Sequence, residues 1–289
     1  MRQVAIATGL SLLAAIAAVM AFLAIDAASV RVPLGNNGAG YRADSVLGFD
    51  IAGRSLPQRA DIIAIGCSQT FGAGVLPSQS FPGIVGALNL AVPSYGGAGS
   101  LAMLERHNHL RPRTVIYGLW AEHRTRNVMP CVEAATPLCI ERPTVEAGLG
   151  NYWIRPPRDT GGMALTRRWV RLAGGSWTDR MQASALALAD RLDRPAPSRA
   201  DPAGAEVYVL TRMAAVARAM GARLIVVYLP DYTRGWPATP PYVALAEQEG
   251  FTFIDTTAAL RPLGDRVAIP GDGHLSAKAH ADIAALLRH

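Results

Sequence analysis

The sequence has no dense run of Lys and Arg interleaved with aromatic residues. Its 28 Lys+Arg exceed its 22 Asp+Glu by a formal +6, but the excess is scattered and mostly arginine. A nucleic-acid surface needs a concentrated basic stripe, so no nucleic-acid partner is expected. Cysteine is scarce, with three in 289 residues. The small-residue stretch Gly66–Gly72 looks like a phosphate loop, but no Gly-Lys-[Ser/Thr] follows it. The cation that would hold the phosphates is missing. His107 and His109 stand two apart on a predicted helix, which points them to different sides and makes a poor metal site. There are no internal repeats, and no metal or cofactor is expected.

What the sequence does have is apolar length. Half of its residues are hydrophobic, enough for a sizeable core. Residues 4–25 carry no charge, with Arg2 before them and Asp26 after them. At about 1.5 Å per residue such a helix spans roughly 30 Å, the thickness of a bilayer core. The segment 1–28 is therefore expected to be an uncleaved membrane anchor with Arg2 inside and the rest exported to the periplasm or beyond. A cleaved signal ending near Ala27-Ala28-Ser29 is the alternative. Export makes a local disulfide between Cys131 and Cys139 the natural expectation, the alternative being two free thiols. Cys67 is left as a small buried hydrophobe.

Residues 29–60 are Gly-, Asn- and Arg-rich and are expected to form a linker. An α/β domain over 61–289 follows. Asp61 to Gly66 reads as a buried strand that delivers Cys67 and Ser68 to a sheet edge. A helix is expected over 77–88, a strand over 89–92, a helix over 100–110 and a strand over 114–120. From 121 to 205 no strand is convincing, and the segment reads as an insertion or lid with short helices at 163–172 and 179–192. Regular order returns with a helix over 205–220, a strand over 223–228, a helix over 241–249, a strand over 251–254 and a last helix over 277–287, capped by Ser276. Strands alternating with helices predict a parallel sheet covered on both faces.

The loop before the last helix carries Asp272, Gly273 and His274. A histidine acts as a general base when a carboxylate fixes its tautomer and orientation. Two residues apart across a glycine, Asp272 and His274 are placed to meet on a tight loop. The start of the following helix disfavours imidazolium and helps keep the base neutral. Ser68, Asp272 and His274 are thus candidates for nucleophile, orienter and base.

Gly66-x-Ser68-x-Thr70-Phe71-Gly72 and Asp272-Gly273-His274-Leu275-Ser276 together resemble the SGNH (GDSL) hydrolase superfamily, over roughly 60–125 and 205–289. The resemblance implies a flavodoxin-like three-layer α/β/α sandwich and acyl chemistry on oxygen, with those three residues as the triad. Its second block maps onto Asn89 to Ser94, which implies an oxyanion hole from the backbone N–H groups of Ser68 and Ser94, with Gly96 as fallback. Its third block normally ends in an Asn donor. Here the strand runs into Ala121-Glu122-His123, and an ionised carboxylate cannot donate. Glu122, His123 and Asn127 are carried as substrate-contact candidates, and His123, Arg124 and Asn127 as replacement donors. The anchor, the cysteine pair and Leu47-Gly48-Phe49 look more like polysaccharide O-acetyltransferases than secreted lipases. The expectation is an exported serine esterase or O-acyltransferase acting on an acylated carbohydrate or similar ester, with envelope acylation proteins as partners. The alternative is a non-catalytic glycan-binding descendant.

Overall fold

A computed structural model describes residues 40–44, 48–52, 55–133, 139–157, 198–236 and 242–288. The apolar run at 4–25 and the helices expected at 163–172 and 179–192 lie outside the described residues. Among the described residues no helix is long and apolar enough to cross a membrane.

The chain enters through an antiparallel hairpin, β1 (Gly40–Asp44) and β2 (Gly48–Ala52), where the sequence suggested only an irregular linker. The main sheet then begins with β3 (Ile62–Gly66), followed at once by the one-turn helix α1 (Ser68–Phe71). The helix expected over 77–88 is broken. Pro77–Gln79 makes a single 3-10 turn and α2 (Phe81–Ile84) restarts after Ser80, whose hydroxyl accepts the Gly83 N–H at 3.2 Å. Pro82 lacks an N–H, and Gly86 takes a left-handed φ of 71° that ends the run. The elements β4 (Leu88–Asn89), α3 (Gly97–Arg106) and β5 (Thr114–Trp120) follow. Because α3 stops at Arg106, His107 and His109 lie beyond its end, with ring centroids 5.7 Å apart rather than on opposite sides.

The segment after β5 holds a short helix α4 (His123–Arg126) and two antiparallel hairpins: β6 (Cys131–Glu133) with β7 (Cys139–Glu141), and β8 (Thr144–Gly148) with β9 (Asn151–Arg155). The absence of strands expected between 121 and 205 is thereby corrected. The register sets Cys131 opposite Glu141 and Cys139 opposite Glu133. The two cysteines are therefore diagonal neighbours, whose Cα atoms stand about 7–8 Å apart in such a ladder. Bridged pairs usually span about 4.4–6.8 Å. The register thus argues against the expected local disulfide.

Regular α/β order resumes with α5 (Pro202–Ala219), β10 (Arg223–Leu229), α6 (Tyr242–Glu249), β11 (Thr252–Asp255), α7 (Thr257–Leu260) and α8 (Ala277–Leu286). The five-stranded sheet has the order β11-β10-β5-β3-β4, and every pair is parallel. This is the flavodoxin-like order, with its switch point between β3 and β5. Alternation along the strands divides the core. Ile63, Ile65, Val115, Tyr117, Leu224 and Val226 pack with α3, α5 and α6, whereas Ala64, Ile116, Ile225 and Val227 pack with α2, α7 and α8. The result is the expected three-layer sandwich.

Two interior features constrain it. Gly66 and Gly118 face each other across β3 and β5, and both abut Thr70. A Cβ on Gly118 would stand 1.9 Å from Thr70 Oγ1 and one on Gly66 2.3 Å from it. Elsewhere Glu206 of α5 is 3% exposed and accepts a hydrogen bond from the Tyr242 hydroxyl. Burial raises its carboxyl to about 7, against the opposing pull of the Tyr242 bond and the Arg124 charge.

Gly118→Ala should destabilise the fold by about 1–3 kcal/mol through overpacking. In a Thr70→Ala background the penalty should fall by more than half, as denaturant melts of the four-member cycle would show. Glu206 binds its proton more tightly folded (about 7) than at the ordinary 4.5, so its contribution is complete below pH 4.5 and lost as pH rises to 7. Glu206→Gln should therefore gain on the wild type between pH 5 and pH 8 by on the order of 3 kcal/mol, measured as the difference in unfolding free energy at the two pH values.

Candidate active site

Gly66 ends β3 and Ser68 opens α1, so the strand delivers Ser68, half-buried, at the carboxyl edge of the sheet beside the switch point. The Asn89 side-chain amide holds α1 from below. Its Nδ2 donates to the Thr70 and Phe71 carbonyls at 3.3 and 3.1 Å, and its Oδ1 accepts from the Ala91 N–H at 3.1 Å. Cys67 is free, 1% exposed and packed under α2 and α8. Burial pushes its thiol up, with the Arg126 charge pulling the other way. It is a core residue, as expected.

On the base loop, His274 Nδ1 lies 2.6 Å from Asp272 Oδ1. With Nδ1–H donating to the carboxylate, Nε2 is left as the basic nitrogen. The loop closes on itself: the Ile269 N–H donates to the His274 carbonyl at 2.8 Å and the Asp272 N–H to Ile269 at 3.1 Å. Ser276 caps α8 by accepting the Ala279 N–H. Gln69, the residue after Ser68, joins the two halves. Its Oε1 accepts the Leu275 N–H at 3.0 Å and its Nε2 donates to the Gly273 carbonyl at 3.3 Å. Gly74 approaches from the same side: a Cβ there would sit 3.0 Å from Asp272 Oδ2. Ser68 and the Asp272–His274 pair, more than two hundred residues apart in sequence, thus share one edge of the sheet.

The chain past β4 continues beside β3. The Leu90 and Val92 N–H groups donate to the Ala64 and Gly66 carbonyls at 2.7 and 3.0 Å. This brings Ser94 level with the end of β3. Ser94 takes φ 70°, a left-handed conformation more natural to glycine. Arg142, 4% exposed, secures that turn by donating from Nη1 to the Ser94 carbonyl at 2.7 Å and from Nε to the Met129 carbonyl at 2.9 Å. The N–H groups of Ser68, Ser94 and Gly96 have no acceptor among the described residues. They are left able to donate to a group bound beside them.

Two of the substrate-contact candidates are placed otherwise. His123 is fully buried, stacks on Tyr117 and bonds the Tyr117 hydroxyl through Nδ1 at 2.7 Å. Burial, then the Arg126 and Arg142 charges, hold it well below the ordinary histidine range, so it stays neutral. Asn127 is fully buried too, and its Oδ1 accepts the Ala98 N–H at the start of α3 at 2.9 Å. Both are closed off from solvent and bond interior groups, and Asn127 lies beside Gly96. Glu122 is at the surface and is taken up by cations, Arg126 at 2.9 Å and Arg234 at 3.4 Å. Arg124 is exposed on α4.

Four residues at the site escaped the sequence reading: Gln69, Arg126, Arg142 and Tyr232. Arg126 packs its stem against Gly96. It had one local signal, its i,i+4 spacing from Glu122. Tyr232 donates its hydroxyl to the Gly273 carbonyl at 2.5 Å, and burial lifts its pKa to about 12. Among the described residues no three His, Cys, Asp or Glu side chains are grouped as metal ligands.

No family model matches the sequence, and no curated protein matches it. Solved structures of similar shape include the following three. TesA shares a TM-score of 0.41 and 16% identity over 78% of this chain and 95% of that one. The psychrotrophic esterase EstA from Pseudoalteromonas sp., inhibited by monoethylphosphonate, gives 0.39 and 11% over 79% and 94%. A candidate acylhydrolase from Bacteroides fragilis gives 0.39 and 13% over 81% and 89%. Likeness at this level decides neither activity nor substrate, which have to be argued from the residues at the strand ends.

Because the Ser94 donor is a backbone N–H, Ser94→Gly should keep turnover of a chromogenic ester within about twofold while relieving about 1 kcal/mol of left-handed strain. Arg142→Met, which frees the Ser94 carbonyl, should lower kcat about tenfold or more, in keeping with the loss or misplacement of one oxyanion donor. Steady-state kinetics and thermal melts of the two variants check both outcomes.

Proposed function

We propose that the chain is an SGNH-type serine hydrolase or O-acyltransferase that works through an acyl-Ser68 intermediate. The observation that carries this reading is the Asp272–His274 pair at 2.6 Å on a loop bonded at both ends of His274 to Gln69, the neighbour of Ser68. The two sequence motifs that resemble the family and the flavodoxin-like strand order support it.

In this reading Ser68 Oγ attacks the ester carbonyl carbon while His274 Nε2 takes the hydroxyl proton. Asp272 accepts Nδ1–H and stabilises the imidazolium. The carbonyl oxygen gathers negative charge and is met by the N–H groups of Ser68, Ser94 and Gly96. As the tetrahedral species collapses, the alcohol leaves with the proton from His274. Water or a sugar hydroxyl, deprotonated by His274, then attacks the acyl-enzyme and releases Ser68. The apolar run at 4–25 favours an exported, membrane-anchored enzyme, and an acylated carbohydrate or similar ester is the substrate class we favour. Envelope acylation proteins are its natural partners.

Ser68→Ala should lower kcat/KM for a chromogenic acetyl ester by about a thousandfold or more and abolish labelling by a serine-directed phosphonate. Undiminished turnover in that variant would sink the assignment. Saturable oligosaccharide binding without turnover by the wild type would favour a glycan-binding role. Transfer of acetyl to an added oligosaccharide, in competition with water, would identify the transferase.

A further inference from the structure

The base loop is packed at its flanks, where Leu275 is buried in the core and Ile269 lies against Gly74, but exposed at its tip. Asp272 and His274 keep 42% and 28% of their side-chain surface exposed. Gly271 and Gly273 both adopt left-handed φ values, 77° and 75°, and a Cβ on either would meet nothing within 4 Å. The backbone bonds from Ile269 to His274 and from Asp272 to Ile269, with the isolated bridge between Ala268 and Leu275, close the loop upon itself. They do not fix its distance from Ser68. Alongside the packing of Leu275 and Ile269, side chains that cross to the loop's tip do so.

We infer that Gln69 is the positioning residue that sets His274 against Ser68. Its amide is 4% exposed and brackets His274, accepting the Leu275 N–H on one side and donating to the Gly273 carbonyl on the other. The same residue follows Ser68 in α1, which Asn89 anchors through the Thr70 and Phe71 carbonyls. A shift of the loop relative to the nucleophile therefore breaks two hydrogen bonds at once, one of them, to the Leu275 N–H, buried. The task demands one acceptor and one donor at the end of a side chain long enough to cross the gap. Glutamine supplies both. Glutamate has only acceptors when ionised, asparagine is one methylene short, and a leucine leaves the Leu275 N–H unpaired inside the protein. Tyr232 adds a second donor to the Gly273 carbonyl, at 2.5 Å, but touches only one side of His274.

The turnover part of this inference rests on the function proposed above, and the spectroscopic part does not. The test uses the full chain as wild type, Gln69→Leu, Gln69→Glu and Ser68→Ala. It reads kcat and KM on a chromogenic acetyl ester, the melting temperature, and the downfield proton resonance of His274 Nδ1–H bonded to Asp272. Gln69→Leu should lower kcat about 10–100-fold, the scale of a displacement near 1 Å between reacting groups. KM should stay within about twofold, and the resonance should be lost to exchange in a protein that still melts cooperatively. Gln69→Glu, which keeps the acceptor for Leu275, should recover part of kcat. Wild-type kcat with an intact resonance in Gln69→Leu overturns the inference. If Gln69→Leu does not fold, Gln69→Glu decides: kcat reduced at unchanged KM supports the role, and wild-type kcat overturns it. A wild type without Ser68-dependent turnover would refute the proposed function, and loss of the resonance in Gln69→Leu would still uphold the positioning role.

Discussion

Everything at this site depends on how closely α1 is allowed to approach the sheet. Gly66 and Gly118 are cross-strand neighbours in β3 and β5, and the Thr70 side chain fills the space a Cβ on either would take. A short helix can then begin one residue after the strand ends instead of riding over it. Ser68 comes to the sheet's carboxyl edge, and Gln69 turns inward with Thr70, both buried. The strand order places the same edge at the switch point, where the connections from β3 and β5 leave toward opposite faces and open a crevice. Backbone topology and two glycines thus settle where chemistry can occur before any polar group is considered.

The polar groups are held in an unequal way. The groups proposed to react are partly exposed, whereas the groups that hold them are buried. Gln69 and Arg142 are 4% exposed or less and bond backbone on either side of His274 and at Ser94. Both side chains are themselves shielded from solvent, and leaving the buried Leu275 N–H unpaired costs about 1–3 kcal/mol. Buried holders therefore impose geometry more firmly than exposed salt bridges such as Arg234–Glu122, where Arg234 is 73% exposed and the pair contributes little. The low-lying, neutral His123 belongs to the holders as well. Charged, it would face Arg126 and Arg142 without solvent.

What could be read in advance was what is local in sequence. The runs Ile62–Gly66, Thr114–Trp120 and Arg223–Leu229 announce buried parallel strands by composition alone. Asp272 and His274 stand two residues apart, so their pairing was visible as spacing. The hairpins of the middle segment were not visible. The β8–β9 turn uses Leu149 and Gly150 with φ 50° and 80°, and a fully exposed leucine in that conformation lacks the Asn-Gly or Asp-Gly signature that marks such turns. The helix whose apolar spacing read as continuous is divided at Ser80, just ahead of Pro82. Gln69 left no trace because its partners lie 204 and 206 residues away, and Arg142 reaches Ser94 across 48. Side chains that bond remote backbone carry no periodicity, so only the folded chain reveals them.

The function proposed above lacks the Asn donor that the resemblance would supply. Glu122, where the resemblance would place it, is engaged by Arg126 and Arg234. Arg126 in turn packs against Gly96 and is near enough to Cys67 to act on its thiol. A side-chain amide contributes one oriented donor. Here three N–H groups, of Ser68, Ser94 and Gly96, have no acceptor among the described residues. Backbone donors cost little reorganisation when charge develops. In the proposed function, an absent Asn therefore does not by itself exclude the reaction: the requirement falls on the left-handed turn at Ser94, whose carbonyl the buried Arg142 holds.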